Sequence, residues 1–437
     1  MKTAILGGGL TGVTLARLLS ERGEEVVVLE AGTEYGGLCR SRIAGGFTFD
    51  TGGSHIIFSR DEEVLSFMKG VLGQNRTERH RTTKIFYKGR YVKYPFENGL
   101  SDLPDEDRFF CINEFIHNLI AVEKGEVDAP GNFRDWIYAT FGRGIAECYM
   151  VPYNRKIWNC PPEEMSAHWM EGRVPRPPVE DVIRSAIGIE TEGYTHQSVF
   201  SYPQEGGIEA LVQAIAAPIE DSIRTGFTVR SVRRMDGGWV IGNGEEEVRA
   251  DRCISTIPLQ SLLPCLAGVP DEVSRACSAL RYNSVACVCI GIRGEVPPYS
   301  WVYVPSEEIG EFNRISFPSG YSDTNAPAGC TSVLAEITYR EGDPAETMSD
   351  QALIDHTIQG LIRMGVLGDQ EEVVHTAVER QQYAYVIYDT AYLENIRVVR
   401  EWCRDEGIDL VGRFSEFEYL NMDGCIRHAL DYVGASR

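Results

Sequence analysis

The 437-residue sequence predicts an α/β fold in which one dinucleotide-binding domain is assembled from separated stretches of chain. A helical domain and an antiparallel β-sheet domain are inserted between those stretches. Three observations carry this. A glycine-rich turn, Gly7-Gly8-Gly9-Leu10-Thr11-Gly12, follows a short apolar strand and opens an amphipathic helix. From Pro104 to about Gly188 apolar residues recur at three- and four-residue spacings, a helical period. Strand-patterned segments then dominate, and some of them return the chain to its first domain.

The opening unit has an order that its chemistry requires. Lys2-Thr3-Ala4-Ile5-Leu6 reads as a buried strand. Gly7 permits the tight turn, Gly9 lets the backbone approach a pyrophosphate, and Gly12 lets the helix pack on the strand. The helix from Leu10 to about Arg22 points its uncapped N–H groups at the phosphates. A second strand, Glu25-Val26-Val27-Val28-Leu29, ends in Glu30, placed to accept hydrogen bonds from an adenosine ribose. That carboxylate would repel a 2′-phosphate, so the expected cofactor is FAD or NAD and not NADP. A second glycine motif, Gly36-Gly37-Leu38-Cys39-Arg40-Ser41, leads to Phe49-Asp50-Thr51-Gly52-Gly53-Ser54-His55.

Further along, Lys84–Tyr87 and Tyr91–Tyr94 flank a Lys88-Gly89 turn and read as a hairpin. Helices are expected at 109–122, 132–141, 144–150 and 207–217. Strands are expected at 228–232, 239–241, 252–256, 284–293, 301–304, 314–317, 332–339 and 409–412, before a last helix at 424–433. The division this implies is 1–83 with 204–275 and 395–437 for the Rossmann-like cofactor domain. Residues 98–195 form the helical substrate domain, and 84–97 with 196–203 and 276–394 the β-sheet domain. A dehydrogenase ordinarily completes its nucleotide domain in one stretch. The interleaving, the paired glycine motif and Gly412-Arg413 before the final helix favour FAD.

Composition excludes several classes. The net charge of -22 argues against nucleic acid or an anionic membrane as partner. No run approaches the roughly 20 apolar residues that span a bilayer. Met1 runs directly into a core strand, so no signal peptide is expected. The 12 cysteines show no Cys-x-x-Cys spacing and sit mostly in apolar segments, as reduced thiols of a cytoplasmic protein do. The 8 histidines are unclustered, so no metal site is expected. Of the 42 basic residues only 7 are Lys, which favours bidentate guanidinium contacts to phosphate.

The middle of the chain is more specific. Arg90-Tyr91-Val92-Lys93-Tyr94-Pro95-Phe96-Glu97-Asn98, Pro152-Tyr153-Asn154-Arg155-Lys156-Ile157-Trp158, Trp169-Met170-Glu171-Gly172-Arg173-Val174, Trp301-Val302-Tyr303 with Arg314, and Gly412-Arg413-Phe414 with Tyr419 follow one another in order. With them the sequence resembles the UDP-galactopyranose mutases, eukaryotic-type branch, within the FAD-dependent amine oxidase and glutathione-reductase-like flavoproteins. The resemblance implies an isomerase that interconverts UDP-galactopyranose and UDP-galactofuranose, or a related UDP-sugar, for cell-surface glycan synthesis. Reduced FAD would act through a flavin N5–sugar adduct, with NADPH or another donor supplying electrons. The fold also admits a redox flavoenzyme of the amine oxidase or protoporphyrinogen oxidase type.

The resemblance also implies roles. Arg173 and Arg314 would clamp the diphosphate, with Tyr303, Tyr385 and Tyr419 donating hydroxyls. Tyr149 would stack on uracil and Asn154 bond its edge, beside Trp158. Tyr94, Glu97 and Gln197 would line the uridine or loop side, and His55 would sit near the flavin N5. The cofactor shell would comprise Gly7, Gly9, Leu10, Thr11, Gly12, Glu30, Ala31, Gly37, Leu38, Arg40, Gly53, Ser54, His55, Val229, Arg413 and Met422, with Asp423 beside it. Glu97 stands where the family often has Gln, Gln197 where it has Asn, and Ser54 is an extra residue before His55. The oligomeric state is not legible.

Overall fold

The computed structural model describes residues 1–170, 176–191, 199–235, 237–368 and 371–435. Its central sheet has five parallel strands in the order Asp409–Leu410, Arg252–Ser255, Lys2–Leu6, Glu25–Leu29 and Ile223–Arg224. The apolar runs Ala-Ile-Leu and Val-Val-Val-Leu are buried without alternation, as strands covered on both faces are. Successive side chains go to opposite sides. Ile5 and Val28 join the core beneath helices Leu10–Glu21 and Met422–Ala435, whereas Ala4, Leu6 and Val27 join that of a three-stranded antiparallel layer with Trp239 and Ile241. Three distant stretches of chain thus share one sheet.

The second large sheet has seven strands, in the order Glu372–Val386, Tyr282–Arg293, Cys330–Tyr339, Arg314–Ser316, Trp301–Tyr303, Thr83–Tyr87 and Arg90–Lys93. It is antiparallel except where Trp301–Tyr303 runs parallel to Thr83–Tyr87. The expected hairpin is present, its Lys88-Gly89 turn taking positive φ at both positions. Helices Asp105–Glu123, Phe133–Ile145, Val151–Trp158 and Val179–Ala186 surround a third core with Phe96, Phe141 and Tyr149 at its heart. Gly142 breaks helical geometry at φ 72°, and a Cβ on Gly144 would lie 2.5 Å from the Cα of Cys111, so these glycines let two helices meet at backbone distance.

Some elements shift from their expected places. The strand expected at 228–232 lies at Ser231–Met235, paired in register from Ser231 opposite Gly242 to Met235 opposite Gly238. The strand from Asp409 stops at Leu410, since Gly412 turns at φ 93°. The helix expected at 144–150 is divided between the end of Phe133–Ile145 and a π-helical turn, Ala146–Met150, which runs on into Val151–Trp158. The 15-residue strand Glu372–Val386 carries no pattern that the sequence reading assigned, because its half-buried polar residues lack a clean apolar alternation.

Candidate active site

One cavity of about 840 Å³ runs from the glycine turn of the parallel sheet to the face of the seven-stranded sheet. Its first end is built mainly from backbone. Gly7 turns at φ 100°, and a Cβ on Gly12 would lie 2.0 Å from the carbonyl oxygen of Gly7. Helix Leu10–Glu21 begins at Gly9 with no side-chain cap and no acidic residue in its first turn. Its N-terminal N–H groups are therefore available to an anion. A Cβ at Gly9 would meet nothing within 4 Å, so that glycine keeps space open where a ligand would approach. Glu30 lines the same end, its carboxylate accepting from Gly8 N at 2.7 Å and Gly32 N at 2.8 Å.

These features fit a flavin dinucleotide. Leu10, Thr11, Ala31, Gly37, Leu38 and Val229 also line this end of the cavity. Arg413 lies further along. Its two terminal nitrogens donate to the carbonyls of Leu420 and Ala384, its guanidinium packs 4.6 Å from the Tyr419 ring, and its buried Nε has no partner. An orphaned buried donor on a cavity wall is what a bound acceptor would satisfy. Met422 and Asp423 begin the last helix at the same wall. Arg40 is paired with Glu34 and is not among the lining residues; nor are Gly12 and Gly53, which pack behind the wall.

The far end is built from side chains on paired strands. Register sets Tyr303 opposite Arg314 and Arg314 opposite Glu336, three neighbours across three adjacent strands. Arg314 donates from Nε to Glu336 Oε1 at 2.9 Å and from Nη2 to both carboxylate oxygens at 2.6 and 2.8 Å. Burial works against the charged guanidinium, but Glu336 reverses this, and the pKa of Arg314 is raised well above its ordinary value. Tyr303 contacts the rings of Tyr94 and Tyr153, each at 5.1 Å. Tyr385 stacks on Tyr419 and donates to Glu336 Oε2 at 3.3 Å; burial pushes its pKa up, so its hydroxyl stays protonated. Arg81 lies over the rings of Trp301 and Tyr94 at 4.6 and 5.1 Å.

Between the two ends lies Gly53-Ser54-His55. Nδ1 of His55 is 2.8 Å from the Gly53 carbonyl, which can only accept, so Nδ1 carries the proton. Burial lowers the His55 pKa, more than Asp50 and Glu336 raise it, which leaves Nε2 as an unprotonated acceptor near neutral pH. Ser54 lines the cavity, and its hydroxyl is 2.8 Å from that of Tyr321.

Three residues expected at the base, Tyr149, Asn154 and Trp158, are not among the residues that line the cavity. Tyr149 is 4% exposed and stacks on both Phe96 and Tyr153, at interplanar angles of 11°, so its ring is engaged by protein. Tyr153, one helical turn on, is the residue of that stripe that lines the cavity. Asn154 spends its amide inside its own helix, donating to the Met150 carbonyl at 2.7 Å and accepting from Trp158 Nε1 at 3.1 Å. Neither Asn154 nor Trp158 lines the cavity. Arg173 and Gln197 lie outside the described residues. The sequence reading missed Arg81, Tyr153 and Glu336. Tyr153 stood inside a quoted motif, but Glu336 and Arg81 have no local signal, since their partners are distant in sequence.

The flavin containing amine oxidoreductase family matches residues 10–432. The chain belongs to that family. Within it, one likeness over the whole length is to a mutase. A crystal structure of reduced UDP-galactopyranose mutase superposes with a TM-score of 0.91 at 28% identity, covering 100% of this chain and 95% of that one. UDP-galactopyranose mutase of Mycoplasma pneumoniae is 30% identical over 227 residues, 50% of this chain and 53% of that protein. The dTDP-fucopyranose mutase of Escherichia coli is 24% identical over 210 residues, 46% of this chain and 54% of that protein. The matches to these curated relatives span about half of their lengths. The resemblance read from the motifs is therefore borne out.

Proposed function

We propose that the protein is a flavin-dependent nucleotide-sugar mutase that interconverts UDP-galactopyranose and UDP-galactofuranose or a related UDP-sugar. The observation that carries this reading is one cavity joining a dinucleotide cradle to a wall that bears Arg314 and tyrosine hydroxyls. An amine oxidase has no use for a guanidinium on that wall; a sugar diphosphate does.

Reduced FAD, when bound, supplies a nucleophile at N5 for the anomeric carbon and so permits a ring change with no net redox. The protein's own part is to hold and neutralise the departing diphosphate and to orient the sugar. Glu336 occupies the Nε and Nη2 edge of Arg314, which leaves the Nη1 end for phosphate oxygens. Charge-assisted hydrogen bonds of this kind contribute roughly 1.5–3 kcal/mol each. Tyr303 and Tyr419 line the same wall with hydroxyl donors, beside Tyr385, whose O–H is given to Glu336, and Tyr94 and Tyr153 extend it toward the base. Neutral His55 offers Nε2 as an acceptor on the flavin side. Arg173 and Gln197 complete the substrate side in this reading. NADPH or another donor keeps the flavin reduced. All 12 cysteines are free, as suits the cytoplasm. We divide the chain as above, the helical insert forming the nucleotide side of the site.

The test is direct. The purified yellow protein, reduced with dithionite, should convert UDP-galactofuranose to UDP-galactopyranose by chromatography, and the oxidised protein should not. Oxidation of an amine or a porphyrinogen, with no isomerisation after reduction, would replace this reading with the oxidase one.

A further inference from the structure

Glu336 is 1% exposed and sits at the junction of the two halves of the site. One of its oxygens, Oε1, accepts from Arg314 on the substrate wall and also from the backbone N–H of Ser54, at 3.0 Å and 282 residues away in sequence. The other, Oε2, accepts from Arg314 and Tyr385. Gly53 turns beside this carboxylate at φ 99°, where a Cβ would lie 3.2 Å from Oε2. Among the described residues, the groups that hydrogen-bond the carboxylate are all donors, and they belong to two different parts of the cavity. An anion that draws Arg314 toward itself must weaken or redirect the bonds that Glu336 makes, and Ser54 shares the same oxygen. The loop Gly53-Ser54-His55 thereby feels what Arg314 binds.

We infer that Glu336 is a positioning residue that couples anion binding at Arg314 to the loop Gly53-Ser54-His55 on the flavin side of the cavity. The inference rests on the nucleotide-sugar reading of the site. Occupancy of the phosphate wall is transmitted to the surroundings of the flavin through one carboxylate. The substrate's diphosphate, rather than its base or sugar, is the part of the ligand that is sensed.

The experiment uses the flavin-loaded, oxidised protein with UDP and uridine as probes, following heat by calorimetry and the flavin by difference absorbance. UDP should release heat and perturb the flavin bands. Uridine at saturation, lacking the phosphates that reach Arg314, should leave the bands unchanged. In Glu336→Gln an amide N–H₂ takes the place of one acceptor oxygen and faces a donor; there UDP heat should persist while the flavin perturbation is lost. UDP heat with unchanged flavin bands in the wild-type protein, an equal perturbation by uridine, or a wild-type perturbation in Glu336→Gln would overturn the coupling. The wild-type comparison of UDP with uridine decides whether the diphosphate is sensed, and Glu336→Asp, whose shorter side chain cannot reach Arg314 and Ser54 together, should lose the flavin perturbation if Glu336→Gln does not fold; a wild-type perturbation in it would equally overturn the coupling. Absence of any UDP heat overturns the nucleotide-sugar reading itself, and this inference with it.

Discussion

At the dinucleotide end of the cavity the wall is mostly main chain: Gly7 and Gly9 leave it bare, Gly12 packs behind it, and the start of a helix faces the ligand. At the substrate end the wall is side chains held by their neighbours on adjacent strands, with Arg314 fixed by Glu336 and flanked by tyrosines. A main-chain wall needs no partner to hold it. A side-chain wall can be retuned residue by residue, but each charged member depends on another. The first suits a cofactor that stays the same; the second suits a substrate that differs between relatives.

The largest effect should break the main-chain wall. Gly12→Ala forces a Cβ to 2.0 Å from a backbone oxygen, and the variant should purify without bound flavin and with a lower Tm. Gly9→Ala meets nothing in the protein, so its flavin-free Tm should equal that of wild type while flavin retention falls. An equal fall in the flavin-free Tm of both variants would erase the distinction. Arg314→Ala tests the other wall. It leaves Glu336 buried without its cation, which costs about 3–5 kcal/mol of stability, and turnover should be nearly lost while flavin stays bound. Unchanged turnover would remove Arg314 from the mechanism.

A third test uses pH. Burial pushes the Glu97 carboxyl up to about 7 from 4.5. The folded state then holds a proton that the unfolded state has released, so this contribution is full below pH 4.5 and is lost as pH rises toward 7. The loss is on the order of 3 kcal/mol. Denaturant unfolding from pH 5 to pH 8 should show wild type losing stability relative to Glu97→Gln, and parallel curves would refute the burial effect. The smallest effect belongs to Tyr385→Phe, which removes one hydrogen bond to Glu336 and should cost about 0.5–1.5 kcal/mol with flavin binding intact.

The main-chain wall was legible because its determinants are close in sequence and restricted to residues with no Cβ. Gly12 packs on Gly7 and Glu30 bonds Gly8, all within one strand–helix–strand unit. The substrate wall was half legible. Arg314 and Tyr303 stood in family motifs, but the fixing of Arg314 by Glu336 depends on strand register, which nothing near residue 336 announces. The family resemblance gave Tyr149 to the base, and helical spacing cannot say which tyrosine of a stacked stripe faces outward. Packing decides it, and Phe96 takes the ring.

The parallel sheet has a further consequence for how the protein is made. Strand Lys2–Leu6 pairs with Arg252–Ser255, and the edge strand Asp409–Leu410 joins only after two large inserts have been synthesised. At about 5–20 residues per second a ribosome needs roughly 8–30 s to travel from one of those partners to the other. During that interval the growing chain carries an open sheet edge and an unfinished cofactor cradle. The cradle's sheet is therefore completed late in the life of the nascent chain, and the segments between its strands fold alongside a half-built neighbour.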